Sequence, residues 1–244
     1  ADTDEFIASV IDRKDVVVSA LVLNERGLDR ALESKVPHIS LSASVSNSHS
    51  LKNVRKPAKE AVSNAVRLVG RAKKEGVSVR AGAQCAFGCV YEGKIGEDAV
   101  MDALLRMAEA GADELNVADT TGMATPLHIT HLITRARAEL PGIPLSLHLH
   151  DTRGLGIANM VAGYNAGVTI FDTSAGGLGG CPFVKGAAGN IATEDAVNLF
   201  EEMGIPTGID LQKICDVHER YAELLGRELT GRMVRVLKTS FSCE

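Results

Sequence analysis

The sequence predicts an α/β fold built on one parallel sheet, and two observations support this. Six short runs rich in β-branched residues, each with the length of a buried strand, alternate with longer amphipathic helical patterns. The helical patterns end at Gly76, Gly111, Gly167 and Gly204, each followed directly by an apolar residue that resumes the chain. Glycine accepts the left-handed backbone that ends a helix. Strand–helix alternation with short links is typical of a parallel sheet.

The elements follow in order along the chain. The predicted strands are residues 16–23, 38–42, 77–83, 114–119, 144–150 and 168–174. The predicted helices are residues 59–74, 97–110, 126–140 and 156–166. In the first of these helices, Val62, Val66 and Val69 share one apolar face. A sheet of this kind either closes into a (β/α)₈ barrel or stays open as a doubly wound sheet.

The polar residues favour the barrel over the doubly wound sheet. We place them at the carboxyl ends of several strands, and a barrel brings residues from many strands to one site. These polar residues are Arg80, Gln84, Asn116, Asp119, His148, His150 and Asp172. No Gly-x-Gly-x-x-Gly segment follows a first strand, and no phosphate-loop lysine is present, so a doubly wound nucleotide-binding fold is disfavoured. Only six strands are visible, whereas a closed barrel of this class needs eight. We find no linker and expect one domain over residues 1–244.

Composition excludes several classes of protein. The net charge of −5 and the 4% aromatic content do not fit a nucleic-acid-binding surface. No apolar run reaches the ~18 residues of a membrane span. The acidic and polar start of the chain, residues 1–6, does not resemble a signal peptide. Five cysteines without an export signal indicate reduced thiols, so we expect a cytoplasmic protein.

A His-x-His-Asp sequence at the end of a predicted strand is the strongest local feature. Residues two apart on a strand project to the same side, so His148 and His150 face the same space. Two imidazoles placed in this way can hold one divalent cation. The alternative is a pair of hydrogen-bonded histidines with a structural role.

Three further segments carry candidate groups. Residues 175–182 (AGGLGGCP) form a glycine-rich loop that ends at Cys181, which is either a reactive thiol or an incidental cysteine in a surface loop. Asn190 precedes a helix and either helps to begin it or offers an amide oxygen to a hard cation. Asp119 ends a strand and is either a helix cap or an acid facing the site.

Together these segments resemble the 3-hydroxy-3-methylglutaryl-CoA lyase family, in the metal-dependent acyl-CoA lyase branch of the pyruvate-carboxyltransferase-like TIM barrels. The most specific match is the loop GLGGCPF at residues 177–183. The other matching segments follow in the family's order: residues 85–89, 91–93, 119–122, 148–152 and 189–195. The chain departs from the family pattern at Gly82, Val90 and Asn116, where the family usually has an aromatic residue, proline and serine.

The resemblance implies a (β/α)₈ TIM barrel of which this chain supplies strands three to eight. The first one to two β/α units, including an Arg-Asp pair whose Asp binds metal, are then missing from the given residues. It also implies a homodimer that acts on an acyl-CoA. If a transit peptide preceded Ala1, the mitochondrial matrix would be the location.

The implied reaction is a metal-dependent retro-Claisen cleavage of a 3-hydroxyacyl-CoA, such as 3-hydroxy-3-methylglutaryl-CoA, to acetyl-CoA and acetoacetate. By resemblance, His148, His150 and Asn190 bind Mg²⁺ or Mn²⁺. Cys181 protonates the enolate, His148 carries a proton, and Asp119 orients a catalytic group or water. Arg80, Gly179 and Gly180 contact the substrate, and Glu194 supports Asn190.

Two other interpretations remain open at this point. One is a Claisen-condensing synthase of the same superfamily, similar to isopropylmalate or homocitrate synthases, against which the Cys181 loop argues. The other is a truncated, non-catalytic barrel, for which the missing Arg-Asp strand is the support.

Overall fold

The computed structural model describes residues 2–180 and 189–240. Within these residues the strands are β1 (Ser19–Val22), β2 (His38–Ser44), β3 (Ser78–Gln84), β4 (Glu114–Asp119), β5 (Leu145–Leu149) and β6 (Ile170–Asp172). The helices are α1 (Thr3–Val10), α2 (Glu25–Glu33), α3 (Asn47–Val54), α4 (Ala58–Lys74), α5 (Glu97–Glu109), α6 (Pro126–Glu139), α7 (Gly156–Asn165), α8 (Thr193–Glu202), α9 (Leu211–Leu225) and α10 (Met233–Ser240). A short 3₁₀ turn covers Ala175–Gly177.

The six strands form one parallel sheet in the order β1-β2-β3-β4-β5-β6. The sheet is curled. Arg80 on β3 reaches Asp172 on β6, with 2.7 Å between guanidinium nitrogen and carboxylate oxygen. In a flat sheet these strands would lie ~14 Å apart, at ~4.8 Å per strand. The predicted α/β fold with a parallel sheet is therefore confirmed, in the form of a six-stranded half-barrel.

Glycine ends four of the helices with a left-handed backbone, as the sequence predicts. Gly76, Gly111, Gly167 and Gly204 all have positive φ, between +74° and +99°. This is the left-handed region that an L-residue rarely enters, so glycine ends each helix and lets the chain turn back toward the sheet.

Alternation along the strands separates the two faces of the sheet. On β2, Ile39, Leu41 and Ala43 are buried beneath the helices, whereas Ser40 and Ser42 face the concave side and are partly exposed. The main apolar core therefore lies between the convex face and the helices. The concave face carries small and polar side chains, which leave room for a cleft.

Two positions differ from the expectation that these polar residues lie together at the carboxyl ends of the strands and face one site. Arg80 is the third residue of β3 and lies in register with the first residue of β4, Glu114, so it sits deep on the concave side rather than at the mouth. Asp119 ends β4 as predicted, but it alternates with the inward-facing Ala118 and so falls on the convex face. No helix in the described parts of the chain is long and apolar enough to cross a membrane.

Candidate active site

The concave face of the sheet forms a cleft of about 580 Å³. Every strand contributes to its wall, and the segment after β6 borders its mouth. The polar and glycine residues that line it include Ser40, Ser42, His49, Asn53, Arg80, Gln84, Asn116, Thr120, His148, His150, Asp172, Gly179, Gly180 and Asn190. Most of the candidate residues are thus brought to one place.

His148 and His150 direct the same ring nitrogen to one point. Their Nε2 atoms lie 3.1 Å apart, and the ring centroids are 5.0 Å apart. Burial lowers the pKa of His150 to about 4, and the charge of His148 adds to this. His150 is therefore neutral near pH 7, which is the form in which histidine binds a metal.

The other ring nitrogen of His148 is held by Asp172. Nδ1 of His148 lies 3.2 Å from Oδ2 of Asp172, while Arg80 donates to Oδ1 at 2.7 Å. Burial raises the pKa of the Asp172 carboxyl group, but the His148 hydrogen bond and the Arg80 charge outweigh it and hold the pKa below its usual value. Asp172 thus stays ionised and accepts from Nδ1, which leaves the lone pair of His148 on Nε2.

Asn190 is fixed next to His150 by the backbone. The two residues form an isolated antiparallel bridge. The side-chain amide of Asn190 donates to the Leu178 carbonyl at 2.8 Å, and its backbone N–H donates to the Gly179 carbonyl at 3.1 Å. Its Oδ1 atom is buried and accepts no hydrogen bond in the described part of the chain. A buried acceptor without a partner is costly, so it indicates a missing electropositive partner.

These residues fit part of a divalent-metal site. Two nitrogens that bind one ion at right angles at ~2.1 Å lie ~3.0 Å apart, close to the 3.1 Å between the two Nε2 atoms. The unpartnered Oδ1 of Asn190 is the kind of oxygen that Mg²⁺ or Mn²⁺ accepts. Residues 2–180 and 189–240 hold no cluster of three or more His, Cys, Asp or Glu side chains suited to a metal. The fit therefore rests on two histidines and one amide.

Asp119 holds a turn. It is fully buried, and its two carboxylate oxygens accept from the backbone N–H groups of Met123 and Ala124 at 2.9 and 3.0 Å. Burial raises the pKa of Asp119 to about 6 despite these hydrogen bonds. The helix cap of α6 is Thr125, not Asp119. A role of Asp119 in orienting a catalytic group or water stays a prediction.

Glu194 supports the glycine-rich segment rather than contacting Asn190 through its side chain. Its Oε2 accepts from the Gly176 backbone N–H at 3.1 Å, and its Oε1 lies 2.5 Å from Nδ1 of His218. Gly179 and Gly180 border the cleft, as a substrate-binding role would require. Arg80 also lines the cleft, but Asp172 already engages its guanidinium. Substrate contact by Arg80, Gly179 and Gly180 stays a prediction.

The structure describes two of the three cysteines that lie in the family-like segments. Cys181, the predicted proton donor, lies outside the described residues. Cys85 and Cys89, which bound the matching segment at residues 85–89, are fully buried and are not among the residues that line the cleft.

Two residues of the cleft had no assigned role in the sequence. The sequence marks Asp172 only as a polar residue near the carboxyl end of a strand, because its contacts with Arg80 and His148 depend on the curl of the sheet. His49 is 1% exposed and lines the same cleft from the start of α3. A single histidine in a serine-rich turn gives no sequence signal that distinguishes it from a structural one.

Comparison with known proteins places these observations in a family. The sequence model of the HMGL-like family matches residues 2–220. Hydroxymethylglutaryl-CoA lyase YngG of Bacillus subtilis is 38% identical over 239 residues, which are 96% of this chain and 79% of that protein. (R)-citramalyl-CoA lyase of Chloroflexus aurantiacus is 35% identical over 211 residues, which are 86% of this chain and 67% of that one.

A solved structure agrees with the sequence comparison. An HMG-CoA lyase from Acenitobacter baumannii, in complex with coenzyme A and 3-methylmalate, superposes with a TM-score of 0.90 at 35% identity. The match covers 96% of this chain and 76% of that structure. By sequence and by fold, the chain belongs to the HMGL-like family.

Proposed function

We propose that this protein is a carbon–carbon lyase that cleaves 3-hydroxy-3-methylglutaryl-CoA to acetyl-CoA and acetoacetate by a retro-Claisen reaction. The observation that carries the proposal is the convergence of His148, His150 and Asn190 in one cleft. The HMG-CoA lyases similar to this chain support the substrate, at 38% identity in the B. subtilis relative.

A divalent cation is the cofactor that the proposal requires, and the resemblance to metal-dependent acyl-CoA lyases supports it. His148, His150 and Asn190 would hold Mg²⁺ or Mn²⁺ through Nε2, Nε2 and Oδ1. When bound, the cation acts as a Lewis acid that lowers the barrier to loss of the hydroxyl proton. These groups leave ligand positions for substrate, water or another side chain, because Mg²⁺ takes six ligands.

The reaction needs two proton transfers, one from the substrate hydroxyl group and one to the enolate. The hydroxyl proton leaves to a base, the bond between C2 and C3 breaks, and the electron pair forms the thioester enolate. We assign protonation of that enolate at C2 to Cys181, from its position in the family-like loop. While Nε2 of His148 holds the cation it has no lone pair for a proton. Proton transfer by His148 therefore requires that its bond to the cation be exchangeable.

The acyl-CoA enters from the mouth of the half-barrel, where Gly179 and Gly180 border the cleft. The coenzyme A complex of the A. baumannii enzyme supports an acyl-CoA as ligand. The (R)-citramalyl-CoA lyase relative shows that proteins at similar identity act on a different acyl group, so the acyl specificity needs direct measurement.

We also propose that the curled sheet is the larger part of a (β/α)₈ barrel. Within the described residues β1 and β6 each pair with one neighbour only. Leu21 of β1 is 63% exposed, as expected for a strand whose second neighbour is not among these six. Two more strands would pair both edges and close the sheet.

The test is turnover by the purified full chain. We expect acetyl-CoA and acetoacetate in equal amounts from 3-hydroxy-3-methylglutaryl-CoA with Mg²⁺ or Mn²⁺, loss of turnover with a chelator, and recovery when metal is returned. His148→Ala and His150→Ala should each lose metal binding, measured by calorimetry. His131→Ala on the exposed face of α6 is the matched control.

Two results would contradict the proposal. Turnover that survives exhaustive chelation would remove the metal role. Cleavage of (R)-citramalyl-CoA, or condensation of acetyl-CoA with a 2-oxo acid, in the absence of hydroxymethylglutaryl-CoA cleavage would reassign the substrate or the direction of the reaction.

A further inference from the structure

The turn between α9 and α10 packs onto the start of the glycine-rich segment. Gly176 has space for no side chain, because a Cβ there would lie 2.4 Å from Cδ1 of Leu229. Thr230 donates to the Gly176 carbonyl through both its backbone N–H and its hydroxyl, each at 3.1 Å. A Cβ on Gly177 would lie 2.1 Å from the Thr230 hydroxyl. We call residues 229–231 the C-terminal clamp.

A buried acid–histidine pair holds the other side of the same turn. Glu194 is fully buried and His218 is 6% exposed. Nδ1 of His218 lies 2.5 Å from Oε1 of Glu194, and Oε2 accepts from the Gly176 N–H at 3.1 Å. Gly231 of the clamp packs directly against the Glu194–His218 pair, because a Cβ at this position would lie 1.8 Å from Oε1 of Glu194. The carboxylate therefore joins α8, α9 and the clamp to Gly176.

The turn fixed in this way presents two carbonyls to Asn190. Leu178 accepts from the Asn190 side-chain amide at 2.8 Å, and Gly179 accepts from its backbone N–H at 3.1 Å. The first of these bonds sets which way the amide points, and hence where Oδ1 points. Gly189 completes the fit, since a Cβ there would lie 2.4 Å from the carbonyls of Gly177 and Gly179.

We infer that His218 is a positioning residue for Asn190: through Glu194 it fixes the turn at Gly176, whose following carbonyls orient the side-chain amide of Asn190 in the cleft that it shares with the two histidines. The inference rests on the proposed function, in which Asn190 holds the cation. It gives α9 and the clamp, which lie outside the sheet, a role in metal binding.

The physical reason is the cost of a buried carboxylate. Glu194 needs every acceptor site filled, because an unpaired charged group in the interior is strongly unfavourable. Without the His218 donor, the carboxylate would turn toward water or another donor and would release Gly176. Residues that orient metal ligands typically change metal affinity by 10–100-fold when they are lost.

The experiment compares three substitutions in the full chain. His218→Leu removes the donor. His218→Asn keeps an N–H at the position of Nδ1, and His131→Leu on the surface of α6 is the control for the type of change. Mn²⁺ affinity is measured by electron paramagnetic resonance without substrate, and amide exchange is followed for residues 174–180 and 189–192. If His218→Leu fails to fold, His218→Gln, which keeps a donor but displaces it, replaces it.

We expect His218→Leu to bind Mn²⁺ 10–100-fold more weakly and to exchange faster at residues 174–180. His218→Asn should restore both, and His131→Leu should change neither. Faster exchange with unchanged Mn²⁺ affinity would overturn the positioning role, and so would failure of His218→Asn to restore affinity. If the parent protein binds no Mn²⁺, the proposed function fails and the inference fails with it. Parent binding with an unaffected His218→Leu overturns the inference alone.

Discussion

Substitution of Asp172 by asparagine tests the orientation of His148 with almost no change of shape. Arg80 donates to Oδ1 of Asp172 at 2.7 Å, and Nδ1 of His148 lies 3.2 Å from Oδ2. An asparagine keeps its carbonyl oxygen toward Arg80 and so turns its NH₂ group toward His148. An NH₂ donor opposite Nδ1 requires that Nδ1 carry no proton. The proton of the neutral imidazole then moves to Nε2, the atom that faces His150.

The expected magnitude follows from this change of tautomer. A proton on Nε2 must be displaced before His148 can bind a metal, and the anionic partner that makes the imidazole more basic is lost. Loss of a hydrogen-bond partner behind a metal-binding histidine costs 10–100-fold in affinity, or about 1.4–2.7 kcal/mol. We expect the Asp172→Asn protein to bind Mn²⁺ more weakly by this factor and to unfold at nearly the same urea concentration as the parent.

Calorimetric titration of Mn²⁺ at constant pH measures the effect. Asp98→Asn is the matched control, because it removes one carboxylate that is 92% exposed and paired with Arg135 on the surface. Equal Mn²⁺ affinity for the parent and Asp172→Asn would refute the reasoning, since His148 would then be oriented without its carboxylate partner.

Three further outcomes are expected. Cys181→Ser should lower turnover by ~10²–10⁴-fold, the range of general acid–base groups, with Mn²⁺ affinity unchanged; near-normal turnover would reject its role as proton donor. Burial raises the pKa of Asp119 to about 6, so the folded state gains a proton, and stability, as pH falls from 7 toward 5. Urea unfolding should show a gain of ~1 kcal/mol from this group, absent in Asp119→Asn; an equal gain in both proteins would contradict it. Gly163→Ala places a Cβ 2.3 Å from Leu147 and should cost ~1–3 kcal/mol of unfolding free energy. Gly70→Ala, with nothing within 4 Å, should instead be neutral or stabilising, and similar losses in both would show that crowding is not the cause.

The sequence was sufficient to predict the parallel sheet and most of the helices that connect its strands, because the buried strands carry apolar residues on the face that packs against the helices. β4 occupies residues Glu114–Asp119, the same span as predicted. The strand predicted at residues 168–174 is shorter, Ile170–Asp172, since Ser174 instead bridges to Ala192. Among the helices that were not predicted are α2, α3, α9 and α10. Few residues of α9 are fully buried, but apolar residues recur along it at helical spacing, so the pattern is present in the sequence and the prediction missed it: Leu211, Ile214, Cys215, Ala222 and Leu225.

Part of the candidate site could also be predicted from the sequence, and part of it could not. The shared face of His148 and His150 follows from the strand period alone, whereas the place of Asn190 came from the family resemblance. The same period would have put Asp119 on the convex face, because Ala118 faces inward. The contact of Asp172 with Arg80 joins residues 92 positions apart. It depends on how strongly the sheet curls, which no local pattern encodes.

The two faces of the sheet separate stability from function in this protein. A closed barrel interior is usually filled by layers of bulky branched side chains, but here Ser40, Ser42, Gly82, Ala118 and Ser146 occupy inward positions. These small residues leave the cleft open and contribute little apolar burial. Stability must then come from the convex face, where Leu115, Val117, Leu147 and Leu149 are at most 1% exposed beneath the helices. Substitutions of these leucines and Val117 should therefore act on folding. Those of Arg80, His148 and Asp172 should act on metal and substrate binding, because these side chains line the cleft and hold one another in place by hydrogen bonds rather than packing in the apolar core.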